Sequence, residues 1–117
     1  GTTGWGEAQT IPTWGGDDAS RYGETPRGAI SLIKELLIPA LKDVDVSRIE
    51  LVHEAMDRVL RGHPYAKAAI EVAILDALAR GLNVPVYRLL GGLYRERVEL
   101  AAERGHRRWR CRRRATS

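Results

Sequence analysis

Two stretches of the chain repeat apolar residues at spacings of three and four: Ile30-Ile33-Leu37, and Ile49-Val52-Met56-Val59. Each spacing lines up one face of a helix. The first stretch has a start signal in Thr25, which can cap, and Pro26, whose missing N–H costs nothing at the first helical position. Pro39 should end or kink that helix near Ile38. The second stretch opens on Ser47-Arg48-Ile49-Glu50, a capping-box pattern, and Gly62-His63-Pro64 breaks it. A third helix is expected from about Tyr65 to Arg80. Its apolar residues, many of them alanine, leave only a thin polar stripe, so the helix must be covered on most sides and allows close backbone approach. Lys67 with Glu71 and Asp76 with Arg80 stand four apart as ion pairs, and Gly81 reads as the C-cap. Val84 to Gly92 then reads as a short helical turn closed by glycines.

Outside the helices the pattern changes. Thr2-Thr3-Gly4-Trp5-Gly6-Glu7-Ala8-Gln9-Thr10 is short and polar with a large residue between two glycines, and reads as one strand of a sheet. Ile11-Pro12-Thr13-Trp14-Gly15-Gly16-Asp17-Asp18 has the composition of a loop, and Trp14 stands out within it. Val98-Glu99-Leu100-Ala101 could begin another strand. No internal repeat is visible.

The charge is unevenly placed. The 117 residues carry a net charge of +4, yet residues 103–117 alone hold seven arginines and one glutamate, which leaves the first 102 at −2. The body is therefore mildly acidic and the basic character belongs to the tail. Three readings of that arginine run stay open: out-of-frame translation of a GC-rich gene, a solvated tail without a role, or an arm that binds phosphate backbones or anionic surfaces. Hydrophobic residues at 44% and charged residues at 29% fit one globular domain. No apolar run approaches the ~18 residues of a membrane span. The single cysteine, Cys111, excludes an internal disulfide, and no basic-then-apolar leader marks the chain for export, so a cytoplasmic location is expected.

Candidate chemistry is sparse. Gly91-Gly92 and Gly15-Gly16 lack the spacing of a phosphate loop. His53, His63 and His106 are scattered without acidic ligands at metal spacing. No serine has a credible histidine base, and Cys111 lies in the tail. The acids at Asp17-Asp18, Asp43 and Asp45 sit in turn-like segments. Accordingly no catalytic or metal-ligating residue is assigned, and the residues alone describe an α-rich domain with one strand and a tryptophan-bearing loop.

Several motifs stand in an order that carries more. Gly4-Trp5-Gly6-Glu7-Ala8 is followed by Gly23-Glu24-Thr25-Pro26, by Ile38-Pro39-Ala40-Leu41, and by Gly62-His63-Pro64-Tyr65-Ala66-Lys67-Ala68-Ala69-Ile70-Glu71. Ala73-Ile74-Leu75-Asp76-Ala77 and Leu82-Asn83-Val84-Pro85-Val86-Tyr87-Arg88-Leu89-Leu90-Gly91-Gly92 complete the set. Over about residues 4–101 the chain resembles the N-terminal capping domain of the mandelate racemase/muconate lactonizing enzyme branch of the enolase superfamily.

That resemblance implies an α+β capping domain, largely helical in this chain: about three main helices and the remnant of a three-stranded meander, with the barrel absent. Residues 1–97 would form the partial capping domain, 98–102 the possible start of a first barrel strand, and 103–117 a disordered tail. The family's barrel binds Mg²⁺ and carries the bases that remove a proton α to a carboxylate. A barrel needs at least ~200 residues, so its metal ligands and bases would lie outside these 117. The resemblance makes this chain the capping fragment of an isomerase or lyase, inactive alone. It implies a small carboxylate substrate, homo-oligomers of the full-length enzyme, and neither a membrane nor a nucleic acid as partner. Family capping loops close over the substrate; here that loop corresponds to Gln9–Gly16, which makes Ile11, Thr13 and Trp14 candidates for substrate contact. The competing reading is a non-catalytic α-rich module whose arginine tail binds nucleic acid or acidic surfaces. The −2 body and the lack of aromatics interleaved with basic residues weaken it.

Overall fold

The structure is a computed structural model, and it describes residues 1–10 and 24–98. In chain order the helices are α1 (Pro26–Leu32), a π-helical turn (Ile33–Leu37), α2 (Ile38–Ala40), α3 (Ile49–Val59), α4 (Pro64–Gly81) and α5 (Val86–Leu89). Among the described residues there is no strand.

α1 begins as its sequence requires. Pro26 opens it, and the Thr25 hydroxyl accepts the Gly28 N–H at 3.2 Å. The helix does not stop at Ile38 but runs on to Ala40 through the π turn, where the Ile38 N–H donates to the Ile33 carbonyl five residues back. Pro39 explains the wide turn: its ring would press on the carbonyl four residues earlier, and a π turn opens that space. The buried line is Ala29 and Leu37 with Ile33 half-buried, while Ile30, expected on this face, is 52% exposed.

α3 starts without the expected capping box. Its first residue is Ile49, its N-cap is Arg48, and no side chain caps it. Ser47 is engaged elsewhere, for both its hydroxyl (2.7 Å) and its N–H (3.0 Å) donate to Asp45 Oδ1. A carboxylate two residues back thus outcompetes the helix for the serine. Val52 and Met56 are fully buried, whereas Val59 at the end of the same expected face is exposed.

α4 is the long element against which α1, the π turn, α3 and α5 all pack. Its C-terminus corrects the sequence reading: Gly81 is the last helical residue, and the left-handed position is Asn83 at φ 53°. The Val84 N–H reaches the Ala79 carbonyl (2.9 Å) and the Asn83 N–H reaches Arg80 (3.1 Å), which is a Schellman closure with asparagine in the place glycine usually takes. α5 is closed by Gly91 and Gly92, both at positive φ, as expected.

The core lies between the α1–α2 line, α3 and α4. Ala29, Leu37, Val52, Met56 and Ala66 are buried, with Ile33, Leu41, Val44, Leu60, Ile70 and Ile74 packed around them. α4 is not covered on most sides, however. Val72 is exposed, and an apolar groove of about 740 Å³ lined by Ile33, Ile38, Leu41, Ile70, Ile74 and Leu78 stays open along it.

Residues 1–10 correct the expected strand. They have no regular secondary structure and no strand partner among the described residues. What holds them is α4: a Cβ on Gly4 would overlap the Ala73 carbonyl, and one on Gly6 would overlap that of Ala69. Two extended residues advance ~6.7 Å and four helical residues ~6 Å, so the glycines keep step with Ala69, Ala73 and Ala77. The alanines do permit a close backbone approach, and the glycines complete it. The expected strand at 98–101 lies outside the described residues apart from Val98, which belongs to no element, and the tail 103–117 lies wholly outside them.

Candidate functional site

Two stretches remote from α4 in sequence are fastened to it by carboxylates, one around Trp5 and one at Glu24. The Trp5 N–H donates to Asp76 Oδ2 at 2.9 Å, and Arg80 Nε donates to the same oxygen at 2.9 Å. Asp76 therefore fastens the extended backbone to the helix while holding its own i,i+4 partner. These hydrogen bonds, that of the Trp5 N–H foremost, keep the Asp76 carboxyl below the usual aspartate range.

The second carboxylate is that of Glu24, two residues before α1. It is only 5% exposed, the one charged side chain buried among the described residues. Its carboxylate accepts the N–H groups of Tyr65 (2.9 Å) and Ala66 (3.1 Å). α4 needs this, because Pro64 occupies its first position and His63, left-handed at φ 55°, offers no capping side chain. The two orphan amides next in line are met from a residue some forty positions upstream, at the helix end where negative charge is favoured.

Near these contacts a groove of about 460 Å³ is lined by Gln9 and Thr10, by Pro26 and Ala29 of α1, and by Tyr65 and Ala66 of α4. Ile11, Thr13 and Trp14 lie outside the described residues.

The remaining charges form a seam between α3 and α4. Lys67 pairs with Asp57 of α3 rather than with Glu71, and Glu71 pairs with His53 of α3 at 3.3 Å. The pair expected within α4 thus crosses to the neighbouring helix, while Asp76–Arg80 forms as expected. The Lys67 partnership lowers the pKa of Asp57, and hydrogen bonds from Ser47 lower that of Asp45. No three of His, Cys, Asp and Glu among the described residues converge to hold a metal ion. The residues present do not fit Mg²⁺, since the acids of α3 and α4 face cations, backbone amides or solvent.

All three lowered aspartates give stability that is present above their unfolded pKa, near 4, and is lost as pH falls through the lower folded values. The thermal midpoint is expected to decline below about pH 4, and Asp76→Asn is expected to flatten part of that decline. An Asp76→Asn protein with an unchanged acid profile would show that this carboxylate does not contribute.

Sequence reasoning missed Glu24 as a cap. The signal was there: a helix opening on His-Pro has nothing local to satisfy its next two amides.

The chain belongs to the mandelate racemase/muconate lactonizing enzyme N-terminal domain family, whose model matches residues 1–91. It is 42% identical over 74 residues to N-succinyl-L-Arg/Lys racemase of Bacillus cereus, covering 63% of this chain and 20% of the relative. It is 39% identical over 101 residues to muconate cycloisomerase 1 of Pseudomonas putida, covering 86% and 26%. The crystal structure of the Bacillus cereus racemase superposes with a TM-score of 0.70 at 36% identity, over 80% of this chain and 23% of that one. That of the Pseudomonas putida muconate lactonizing enzyme gives 0.68 at 40%, over 81% and 25%. The chain thus spans a fifth to a quarter of the length of these relatives, and corresponds to the N-terminal capping part of enolase-superfamily enzymes. No helix among the described residues is long and apolar enough to cross a membrane.

Proposed function

We propose that this chain serves as the substrate-capping part of a Mg²⁺-dependent isomerase or lyase that removes a proton α to a carboxylate. The reading is supported by the family match over residues 1–91. Cycloisomerisation, racemisation, epimerisation and acid-sugar dehydration all belong to this class. In the complete enzyme Mg²⁺ would neutralise negative charge developing on the substrate carboxylate. The capping part adds shape and the exclusion of water. Ile11, Thr13 and Trp14 are the residues assigned to the substrate: Ile11 and Trp14 offer apolar area, and Pro12 limits the conformations to be lost on binding. The complete enzyme acts in the cytoplasm as a homo-oligomer, and the fragment alone is inactive.

The test is a hybrid in which residues 1–98 replace the N-terminal part of Pseudomonas putida muconate cycloisomerase 1. With Mg²⁺ it is expected to turn over muconate, whereas the 117-residue chain alone should show neither turnover nor a saturable Mg²⁺ isotherm. A one-to-one Mg²⁺ isotherm for the chain alone, or a hybrid no more active than the barrel without any capping part, would overturn the reading.

A further inference from the structure

We infer that Glu24 and Thr25 act as one conformational latch. Two neighbouring side chains close the first turns of two different helices, so α1 and α4 open and close there as a single unit, ahead of the rest of the fold.

The placement goes beyond what a helix cap requires. Thr25 accepts the Gly28 N–H and so closes α1, while Glu24 accepts the N–H groups of Tyr65 and Ala66 and so closes α4. Thr25 is extended, at φ −102° and ψ 150°. Neighbouring side chains on extended backbone point to opposite sides, which lets each of the two reach its own helix. α4 has no local substitute, because His63 makes no side-chain cap bond. A serine or aspartate at that position would have closed α4 by itself. Instead the cap of α4 arrives with the start of α1.

A shared cap couples the two ends. Moving the start of α1 away would leave the buried Glu24 carboxylate and two amides without partners, each at a cost. It would also part Ala29 from Ala66, which belong to one core cluster. Fraying the first turn of α4 would strand the same carboxylate and free the backbone from which Thr25 caps α1. Neither end opens without undoing the other. Opened together, they expose chiefly two alanines, whereas Leu37, Val52 and Met56 hold the larger apolar side chains of the core. The groove lined by Pro26, Ala29, Tyr65 and Ala66 leaves room for water beside the latch. The opening is therefore local.

The test is amide hydrogen exchange of the 117-residue chain, read residue by residue by NMR. Glu24→Gln keeps the shape of the side chain but offers a single acceptor oxygen. Exchange at Tyr65 and Ala66 is expected to accelerate roughly 5- to 150-fold, with Gly28 and Ala29 of α1 accelerated by the same factor. Thr25→Ala is the converse variant, since it removes a hydrogen bond made to α1. It should nonetheless accelerate exchange at Tyr65 and Ala66, by about 2- to 30-fold. Amides of α3 from Val52 to Met56 should move less in both variants. Acceleration by Glu24→Gln confined to Tyr65 and Ala66 would mean two independent caps and overturn the latch. Unmoved exchange at Tyr65 and Ala66 in Thr25→Ala overturns it too, and that variant decides the matter if Glu24→Gln does not fold. Equal acceleration through α3 would show the whole domain opening at once, and the local unit would fall.

Discussion

Gly6→Ala is expected to unseat the extended N-terminal segment and cost about 3 kcal/mol, the upper end for an overpacked contact. The added Cβ would overlap the Ala69 carbonyl and lie 2.7 Å from the Ala73 nitrogen. Both are main-chain atoms of the hydrogen-bonded helix α4, so neither can move aside as a flexible side chain would. Relief must come from the segment lifting away, with loss of the Trp5–Asp76 hydrogen bond. Gly81→Ala is the matching control: a Cβ there meets only the Thr2 hydroxyl, at 3.6 Å. Alanine at that position should be neutral or slightly stabilising, because glycine inside a helix costs up to about 1 kcal/mol. Denaturant titration of the two variants distinguishes them. Equal midpoints would show that residues 4–6 do not lie on α4.

The second large effect is kinetic. In the hybrid enzyme, Trp14→Ala is expected to lower kcat/KM roughly 5- to 150-fold, which corresponds to about 1–3 kcal/mol for a buried aromatic contact. Metal affinity and thermal midpoint should stay as they were. The opposite result, lost stability with unchanged kinetics, would make Trp14 a packing residue.

Much of the helical layer was legible in the residues. Thr25-Pro26 marked a helix start because the cap and the proline act within one turn. Val52 and Met56 announced the buried face of α3 by spacing alone. The errors came wherever a distant or competing partner decided the outcome. Ser47 had the capping-box pattern, but Asp45 lay closer to its hydroxyl than the helix amides did. Lys67 and Glu71 stood at pairing distance, yet α3 supplied Asp57 and His53 across the interface. Pro39 signalled an end or a kink, and of the two the chain took the second course, widening one turn and continuing. The candidate site was legible only in part: Ile11, Thr13 and Trp14 came from a resemblance, whereas Glu24 and Asp76 emerge only once α4 brings remote stretches of sequence together.

The open apolar groove along α4 also has a consequence in time. In an enzyme of the relatives' length, this part comes off the ribosome first, with about three quarters of the chain still to follow. At ~5–20 residues per second the remaining few hundred residues take tens of seconds. Throughout that interval Ile38, Leu41, Ile70, Ile74 and Leu78 line a surface already shaped by the finished helices. An apolar face of this kind stays in water until a covering part has been made.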